Sequence, residues 1–407
     1  MSLEQFMSPG VVRRRAIVLW RKWRGKTISE SVLVNAQGRR DFSGLSLPEP
    51  RFRNRDAHDA ATVEICERLI AAYRRATARG GTNHPSGNGI WREHADTFQR
   101  ELGRALATAD VGATSAILRR MFVDPVTTGL ALGSMVCEWA RTDQYATCLQ
   151  WHDKAIALGL SLGAIPVQCP EQGEYGSVLD RDSVAVLERV QMTLGVDLTP
   201  PQVGAIFGVD VGGNAWPINY LLHVYTANRI RALIGMAGEE WDCIEIGGGV
   251  GFLAYAALVL GARRFCIVDL PIVNALQGYY LLRSRFADRV RLHGEAPSGA
   301  GNDIELVPAR SIEEIDARSF AIAVNQDSMP EMAHETARNY VGFAAKVARR
   351  YFLSINQEAQ AQSRPDFAQG WVHPMCKEEP ALSLLYRVPY WLRSGYVEEV
   401  YWMDPAR

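Results

Sequence analysis

The stretch that decides the fold is Asp242-Cys-Ile-Glu-Ile-Gly-Gly-Gly-Val-Gly251, in which a short apolar run leads directly into spaced glycines. The apolar run predicts a buried strand, and the pattern after Gly251 predicts a helix. Gly247, Gly249 and Gly251 let the backbone turn sharply and approach a ligand without a Cβ in the way. The stretch therefore predicts a strand–turn–helix unit that binds a nucleoside-type ligand.

Strands and helices alternate in the sequence that follows Trp241. Short segments rich in β-branched and aromatic residues occur at 243–246, 265–270, 290–292, 304–307, 321–325 and 351–355, and helical patterns occur at 252–260, 272–285 and 334–350. This alternation predicts an α/β fold in which helices cover both faces of a parallel sheet. Residues 386–392 and 396–402, joined at Ser394-Gly395, predict an antiparallel C-terminal hairpin.

An acidic residue, Asp269, closes the strand that follows the glycine turn. A carboxylate in this position can accept two hydrogen bonds from a ribose diol, which argues against an ordinary strand–helix turn. The glycines themselves leave two ligands open. The segment Gly249-Val-Gly251-Phe-Leu-Ala254 also satisfies the dinucleotide pattern G-x-G-x-x-[GA].

Three features favour S-adenosylmethionine over NAD. Glu245 lies where the methyltransferase pattern E-x-G-x-G-x-G has its acid, no second nucleotide-binding glycine turn follows, and the antiparallel ending is typical of a methyltransferase sheet. We therefore expect a site for S-adenosylmethionine, with S-adenosylhomocysteine as product. The residues expected to contact this cofactor are Glu245, Gly247, Gly248, Gly249, Gly251, Asp269, Leu270 and Asn325.

The C-terminal region resembles class I methyltransferases, which have a Rossmann-like sheet. More narrowly, it is similar to the sugar O-methyltransferase family of bacterial polysaccharide and glycolipid clusters. The motifs that carry the resemblance are Ile244-Glu-Ile-Gly-Gly-Gly-Val-Gly251, Val268-Asp-Leu-Pro271, Asn325-Gln-Asp-Ser-Met-Pro-Glu-Met332 and Tyr351-Phe-Leu-Ser-Ile-Asn356. The resemblance implies methyl transfer to a hydroxyl of a sugar or glycoconjugate, and it supports Asn325, Ser328 and Glu331 as residues that line the site.

Three other functions remain open from the sequence. They are O- or N-methylation of a non-sugar natural product, an NAD-dependent Rossmann enzyme, and a non-catalytic binder of S-adenosylmethionine. A weakly acidic hydroxyl normally needs a general base during methyl transfer, whereas an amine needs only a deprotonated nitrogen. The search for a base therefore bears on the choice among acceptors.

The candidates for the general base are Asp327, His373 and Glu331. Asp327 follows a buried-type strand at the carboxyl edge of the sheet, although it could instead cap a helix that begins near Pro330. Glu331 lies in the first turn of that helix, where the helix dipole favours acids whatever their function. His373 is preceded by Trp371-Val372 in the segment before the hairpin, where an aromatic residue beside a histidine suits a sugar face. No metal site is expected.

The 407-residue length predicts more than one domain. We expect a basic, partly irregular arm (1–55), a mainly helical acceptor or lid domain (56–200) and a methyltransferase domain (201–407). His84, on a Gly-rich loop, is a further lid candidate, and Tyr225 and Arg229 are candidates for holding the cofactor carboxylate.

Charge and cysteine usage narrow the partners and the location of the protein. A net charge of −1 argues against nucleic acid as a partner, and the scattered cysteines favour the cytoplasm. No transmembrane segment is expected. The expected binding partner is a small-molecule or glycan acceptor. The arginine-rich arm suits peripheral membrane contact, and a homodimer stays open.

Overall fold

The computed structural model describes residues 44–78, 90–169, 171–173, 176–297, 299, 301, 303–359, 362–364 and 367–403. The basic arm, apart from residues 44–55, and the Gly-rich loop with His84 lie outside these ranges. Membrane contact through the arm and a lid function of the loop therefore stay predictions.

The helices of the described residues fall into two groups along the chain. Those before residue 200 are α1 (Ala60–Thr77), α2 (Ile90–Thr97), α3 (Arg100–Ala107), α4 (Val111–Leu118), α5 (Gly133–Thr142), α6 (Gln144–Ser161) and α7 (Ser183–Leu194). Those after it are α8 (Ile218–Ala237), α9 (Phe252–Val259), α10 (Pro271–Leu282), α11 (His334–Val347) and α12 (Val372–Glu378). The predicted predominance of helix in the first half is confirmed.

Local chemistry explains where these helices begin and end. Asp182 caps α7 through hydrogen bonds from the backbone N–H groups of Val184 and Ala185. The sequence predicts one helix over 91–107, but the structure has two. The N–H groups of Phe98 and Gln99 both donate to the His94 carbonyl, and this shared bond interrupts the helical register between α2 and α3.

The strands form one large sheet and two small ones. They are β1 (Pro50–Phe52), β2 (Phe207–Val211), β3 (Asn214–Trp216), β4 (Asp242–Ile246), β5 (Arg264–Asp269), β6 (Val290–Arg291), β7 (Ile304–Pro308), β8 (Phe320–Gln326), β9 (Ala348–Gln357), β10 (Gln362–Arg364), β11 (Phe367–Ala368), β12 (Leu382–Pro389) and β13 (Tyr396–Met403). The large sheet has the order β12-β13-β9-β8-β4-β5-β7-β6.

The large sheet carries the Rossmann-like arrangement of class I methyltransferases. Strands β6, β7, β5, β4, β8 and β9 pair in parallel, whereas β13 pairs antiparallel with both β9 and β12. The strand order reverses at β4, since β5 lies on one side of it and β8 on the other. Ligands of open α/β sheets bind at such a reversal, beyond the carboxyl ends of the strands. The predicted fold class is confirmed, including the antiparallel ending.

A small antiparallel sheet was not expected from the sequence. It joins β1, from the segment predicted to be irregular, to the hairpin β2–β3, which falls on the glycine-rich junction near residue 210. At Gly208 a Cβ would collide with the backbone of Trp216, so the two strands approach too closely there for any side chain. The glycines at this junction thus belong to a strand pair.

Apolar cores cover both faces of the large sheet. One core contains residues of α9 and α10 and continues into the helices before residue 200, where Leu69 of α1 lies against Gly278 of α10. The other contains residues of α11, α12 and the hairpin, with Val341 and Met375 among them. The first core fixes the helices of the first half against the sheet. The division into domains at residues 55 and 200 stays a prediction.

Candidate functional site

A cavity of about 540 Å³ opens at the carboxyl ends of β4, β5 and β8. Its volume lies within the range of small-molecule sites, and its position is the one where an open α/β sheet binds ligands. Of the expected cofactor residues, the structure places these in the cavity wall: Glu245, Gly247, Gly248, Gly249, Asp269 and Leu270. Asp327 and Glu331 line it as well.

The glycine turn after β4 is tight for identifiable steric reasons. Gly247, Gly249 and Gly251 have φ angles of +75°, +56° and +92°, which L side chains rarely adopt. Gly248 has no such angle, but a Cβ there would lie 2.5 Å from Ile267 Cγ2 and 3.0 Å from Glu245 Oε2. Gly251 does not line the cavity; it is the N-cap residue of α9.

Two buried carboxyl groups, of Glu245 and Asp269, flank the turn. Burial, with a smaller contribution from the neighbouring Asp269, raises the pKa of Glu245 to about 8. Burial also raises the pKa of Asp269, to about 7. Hydrogen bonds from the Leu270 N–H and the Gln277 amide act in the opposite direction and lower it. Glu245 Oε2 is buried without a hydrogen-bond partner among the described residues.

The Gln277 side chain connects the glycine turn to Asp269. Its Nε2 donates to Asp269 Oδ2 at 2.9 Å and to the Gly249 carbonyl at 3.1 Å. The Asp269 carboxylate is thereby oriented toward the cavity, with lone pairs left to accept hydrogen bonds from a bound ligand.

Asn325, an expected cofactor ligand, lies behind the cavity wall. Its Nδ2 donates to the Ile246 carbonyl at 2.8 Å and to Ser328 Oγ at 2.6 Å, and its Oδ1 accepts from Asn356 Nδ2 at 2.9 Å. The side chain is fully buried. It joins the ends of β4, β8 and β9, and it positions Ser328, which lines the cavity beside Gly247.

Asp327 is fixed by side chains of the C-terminal hairpin region. Arg393 Nη1 donates to its Oδ2 and the Tyr396 hydroxyl to its Oδ1. The alternative role as a helix N-cap is wrong, because the next helical turn is the short 3-10 segment Met329–Glu331, which has no side-chain cap. Asp327 instead adopts a φ of +73°, which aspartate tolerates better than most residues.

Glu331 is near Asp327, and the pKa of its carboxyl reflects this. Burial, helped by the Asp327 charge and opposed by Arg393, raises the pKa of Glu331 to about 8. Glu331 is therefore largely protonated at neutral pH. The cavity wall thus holds the anchored Asp327 side chain near a Glu331 that carries its proton.

His373 does not line the cavity. It lies in α12, where its Nδ1 is 2.6 Å from Glu399 Oε1 and 3.2 Å from the Tyr401 hydroxyl. Arg229 and Tyr225 also lie outside the cavity wall. Arg229 Nε donates to the buried Glu398 carboxylate at 2.8 Å, and the Tyr225 hydroxyl donates to it at 2.7 Å. The structure thus separates these three candidates from Asp327 and Glu331.

Several wall residues were missed in the sequence. Asn219, Leu222 and His223 on α8 have the three- and four-residue spacing of one helix face, which could have directed attention to them. Trp91 and Leu130 come from the first half of the chain, and they had no local signal. Leu130 lies close to the turn, because a Cβ on Gly249 would be 3.0 Å from its carbonyl oxygen.

No cluster of three or more His, Cys, Asp or Glu side chains suited to a metal ion occurs within the described ranges. In the same part of the chain, no helix is long and apolar enough to cross a bilayer.

No protein-family model matches this chain, and no curated protein matches it. Among solved structures, it is similar to the magnesium protoporphyrin IX methyltransferase of Synechocystis PCC 6803 with bound S-adenosylmethionine, at 13% identity and a TM-score of 0.32, over 45% of this chain and 80% of that one. It is also similar to the 1,6-didemethyltoxoflavin-N1-methyltransferase of Burkholderia thailandensis, at 15% identity and a TM-score of 0.30, over 45% and 78% of the two chains.

A third similar structure is the mitomycin 7-O-methyltransferase, at 12% identity and a TM-score of 0.32, over 66% of this chain and all of that one. Scores this low add nothing to the strand order and pairing described above. These features of the chain itself define its class of fold, the Rossmann-like class I methyltransferase fold.

Proposed function

We propose that this chain is an S-adenosylmethionine-dependent methyltransferase that methylates a hydroxyl group and leaves S-adenosylhomocysteine as the by-product. The observation that carries the proposal is one cavity whose wall holds two acid pairs. Glu245 and Asp269 flank the glycine turn, and Asp327 and Glu331 line the same wall. A donor and an acceptor could thus occupy the same enclosure.

The residues around the glycine turn fit the cofactor. Asp269 retains lone pairs for a ribose diol, and Glu245 Oε2 is buried with no hydrogen-bond partner among the residues that the structure describes. At Gly248 any side chain would collide with Ile267, so the bare backbone is available for close approach. Bound there, the cofactor supplies a methyl group on a positively charged sulfur.

The remaining work of the protein is orientation and exclusion of water. Trp91 and Leu130, from the first half of the chain, form part of the cavity wall. This contribution supports an acceptor-shaping role for the helical region 56–200. The aromatic face of Trp91, together with polar side chains such as Asn219 and Gln326, suits a hydroxyl-rich acceptor.

We favour a sugar or glycoconjugate as the acceptor, on the motif resemblance and on this polar lining. O- or N-methylation of a non-sugar natural product is the second candidate, because Trp91 and Leu222 would equally contact an aromatic acceptor. An NAD-dependent enzyme and a non-catalytic binder are less well supported. The glycine turn and Asp269 have the form that S-adenosylmethionine requires, and Asp327 and Glu331 line the same cavity.

Calorimetry with S-adenosylhomocysteine tests the cofactor assignment. The wild-type chain should bind it, and Asp269→Ala should weaken binding by about tenfold or more, since one or two hydrogen bonds to a charged group are lost. Asp288→Ala, an exposed acid outside the cavity, is the matched control and should bind normally. Normal affinity in Asp269→Ala, or preference of the wild type for NADH, would reject the assignment.

The acceptor requires a second experiment. Release of S-adenosylhomocysteine should be followed across a panel of methyl glycosides, nucleotide sugars, phenols and amines. Turnover confined to the glycosides or nucleotide sugars would support the sugar assignment. Turnover confined to phenols or amines would move the function to the second candidate.

A further inference from the structure

A histidine in the cavity wall has the properties of a proton acceptor. His223 lies on α8, in the same cavity as Asp327 and Glu331, with its ring 5.9 Å from that of Phe252. Its Nδ1 is buried without a hydrogen-bond partner among the described residues. The nitrogen left for a ligand in the cavity is therefore Nε2.

Asp327 is less suited to accept a proton than the sequence suggests. Both of its oxygens already accept hydrogen bonds, one from the Arg393 guanidinium and one from the Tyr396 hydroxyl. These two hydrogen bonds occupy and orient both oxygens of the Asp327 side chain. Glu331 is also unsuitable, since a carboxyl with a pKa of about 8 carries its proton at neutral pH.

The surroundings of His223 keep its ring neutral. Burial lowers the pKa of His223 to about 4, although the Asp327 charge and the neighbouring Gln326 side chain both act to raise it. At neutral pH the ring is therefore neutral and has a lone pair to offer, but burial also makes it a weak base, and the Asp327 charge is the group that opposes this weakening. Gln326 Oε1 is likewise buried without a hydrogen-bond partner among the described residues, and the Gln326 side chain adjoins the His223 ring, so an acceptor stands ready for a proton on Nδ1.

We propose that His223 is the general base, and that Asp327 is a positioning residue that stabilises the charged ring. The inference rests on the proposed function. Nε2 of His223 removes the proton from the acceptor hydroxyl while the hydroxyl oxygen bonds to the methyl carbon of the sulfonium donor. The carbon–sulfur bond breaks, its electron pair stays on sulfur, and the proton remains on His223. Asp327 then faces an imidazolium of opposite charge.

Turnover and binding are measured together in His223→Gln, with the best acceptor of the panel. The rate constant kcat should fall by about a hundredfold or more, the usual contribution of a general base, while the Kd for S-adenosylhomocysteine changes less than about twofold. His334→Gln, an exposed histidine outside the cavity wall, is the matched control and should keep full activity. Retention of turnover by His223→Gln with normal cofactor binding would overturn the base assignment alone. Absence of cofactor binding in the wild type would instead overturn the proposed function.

Nitrogen NMR of labelled histidine tests the inference without an acceptor. In the complex with S-adenosylhomocysteine at neutral pH, the signal missing from His223→Gln should report a neutral ring with the proton on Nδ1. A proton on Nε2, in either the neutral or the charged ring, would refute the proposal.

The variant Asp327→Asn separates positioning from folding, because asparagine tolerates the positive φ of this position. The pKa of His223 should fall further when the carboxylate charge is removed, and kcat should fall by about tenfold with little change in KM. An unchanged His223 titration in this variant would exclude the positioning role.

Discussion

The substitution Gly247→Ala tests whether the glycine turn is set by contacts with the Ser328 segment. A Cβ at this position would collide with Ser328 Oγ and lie 2.6 Å from Ser328 Cβ. Ser328 cannot move aside cheaply, because its Oγ donates to the Ile246 carbonyl at 3.1 Å and accepts from Asn325 Nδ2 at 2.6 Å. The added methyl group must therefore displace the turn itself.

The expected loss in free energy of unfolding has two parts. Alanine at the φ of +75° costs about 1–2 kcal/mol, and overpacking of a close contact costs about 1–3 kcal/mol more. Gly238→Ala isolates the first part, since Gly238 has a similar φ of +66° and nothing within 4 Å of its added Cβ. We expect a loss of about 2–5 kcal/mol for Gly247→Ala and about 1–2 kcal/mol for Gly238→Ala.

Urea unfolding followed by circular dichroism measures the stabilities, and calorimetry with S-adenosylhomocysteine measures the consequence for the site. Gly247→Ala should bind at least about tenfold more weakly because its turn is displaced, whereas Gly238→Ala, at the end of α8, should bind normally. Equal losses of stability and equal affinities in the two variants would show that Ser328 does not constrain the turn.

Two further predictions concern buried carboxyl groups. The pKa of Glu245 is raised from 4.5 to about 8, so its contribution to stability is complete below about pH 4.5 and is lost as the pH rises through 8. Glu245→Gln should therefore lose less stability than the wild type between about pH 5 and pH 8.5 in urea titrations, and parallel curves would contradict this. Glu398→Ala should lower the free energy of unfolding by about 3 kcal/mol. Removal of this fully buried carboxylate leaves the donors of Arg229, Tyr225 and Tyr386 without their acceptor. Its affinity for S-adenosylhomocysteine should stay within about twofold of the wild type, and a larger change would link this cluster to the cavity.

The sheet could be predicted from the sequence because its signals are local. The apolar run before Gly247 and the acid Asp269 each lie within one strand and the turn that follows it. Such patterns can be read from adjacent residues, without knowledge of what the strand packs against. The short strands β1, β2 and β3 were missed for the opposite reason. Each pairs with a segment distant in sequence or lies among glycines, and a glycine-rich segment predicts a turn until its pairing partner is known.

The residues proposed to act on the acceptor could be predicted only in part. Asp327 and Glu331 were found because they follow a strand end, where a parallel sheet gathers its functional side chains. His223 and Trp91 lie on helices whose orientation relative to the sheet depends on packing of the whole core. His373 was expected nearby because it precedes the hairpin, yet its side chain contacts Glu399 of β13 and does not line the cavity.

Two carboxyl pairs in the cavity wall bear on what the cavity can bind. In each pair a carboxyl group whose pKa is raised to about 8 adjoins a second carboxyl held by hydrogen bonds: Glu245 beside Asp269, and Glu331 beside Asp327. Burial is the main cause of the raised pKa and the charge of the neighbouring acid adds to it, so Glu245 and Glu331 tend to keep a proton near neutral pH. A protonated carboxyl donates a hydrogen bond, and an oxygen of the second carboxyl accepts one. Each pair can therefore both donate to and accept from hydroxyl groups, which fits a ribose beside Asp269 and a hydroxyl acceptor beside Asp327.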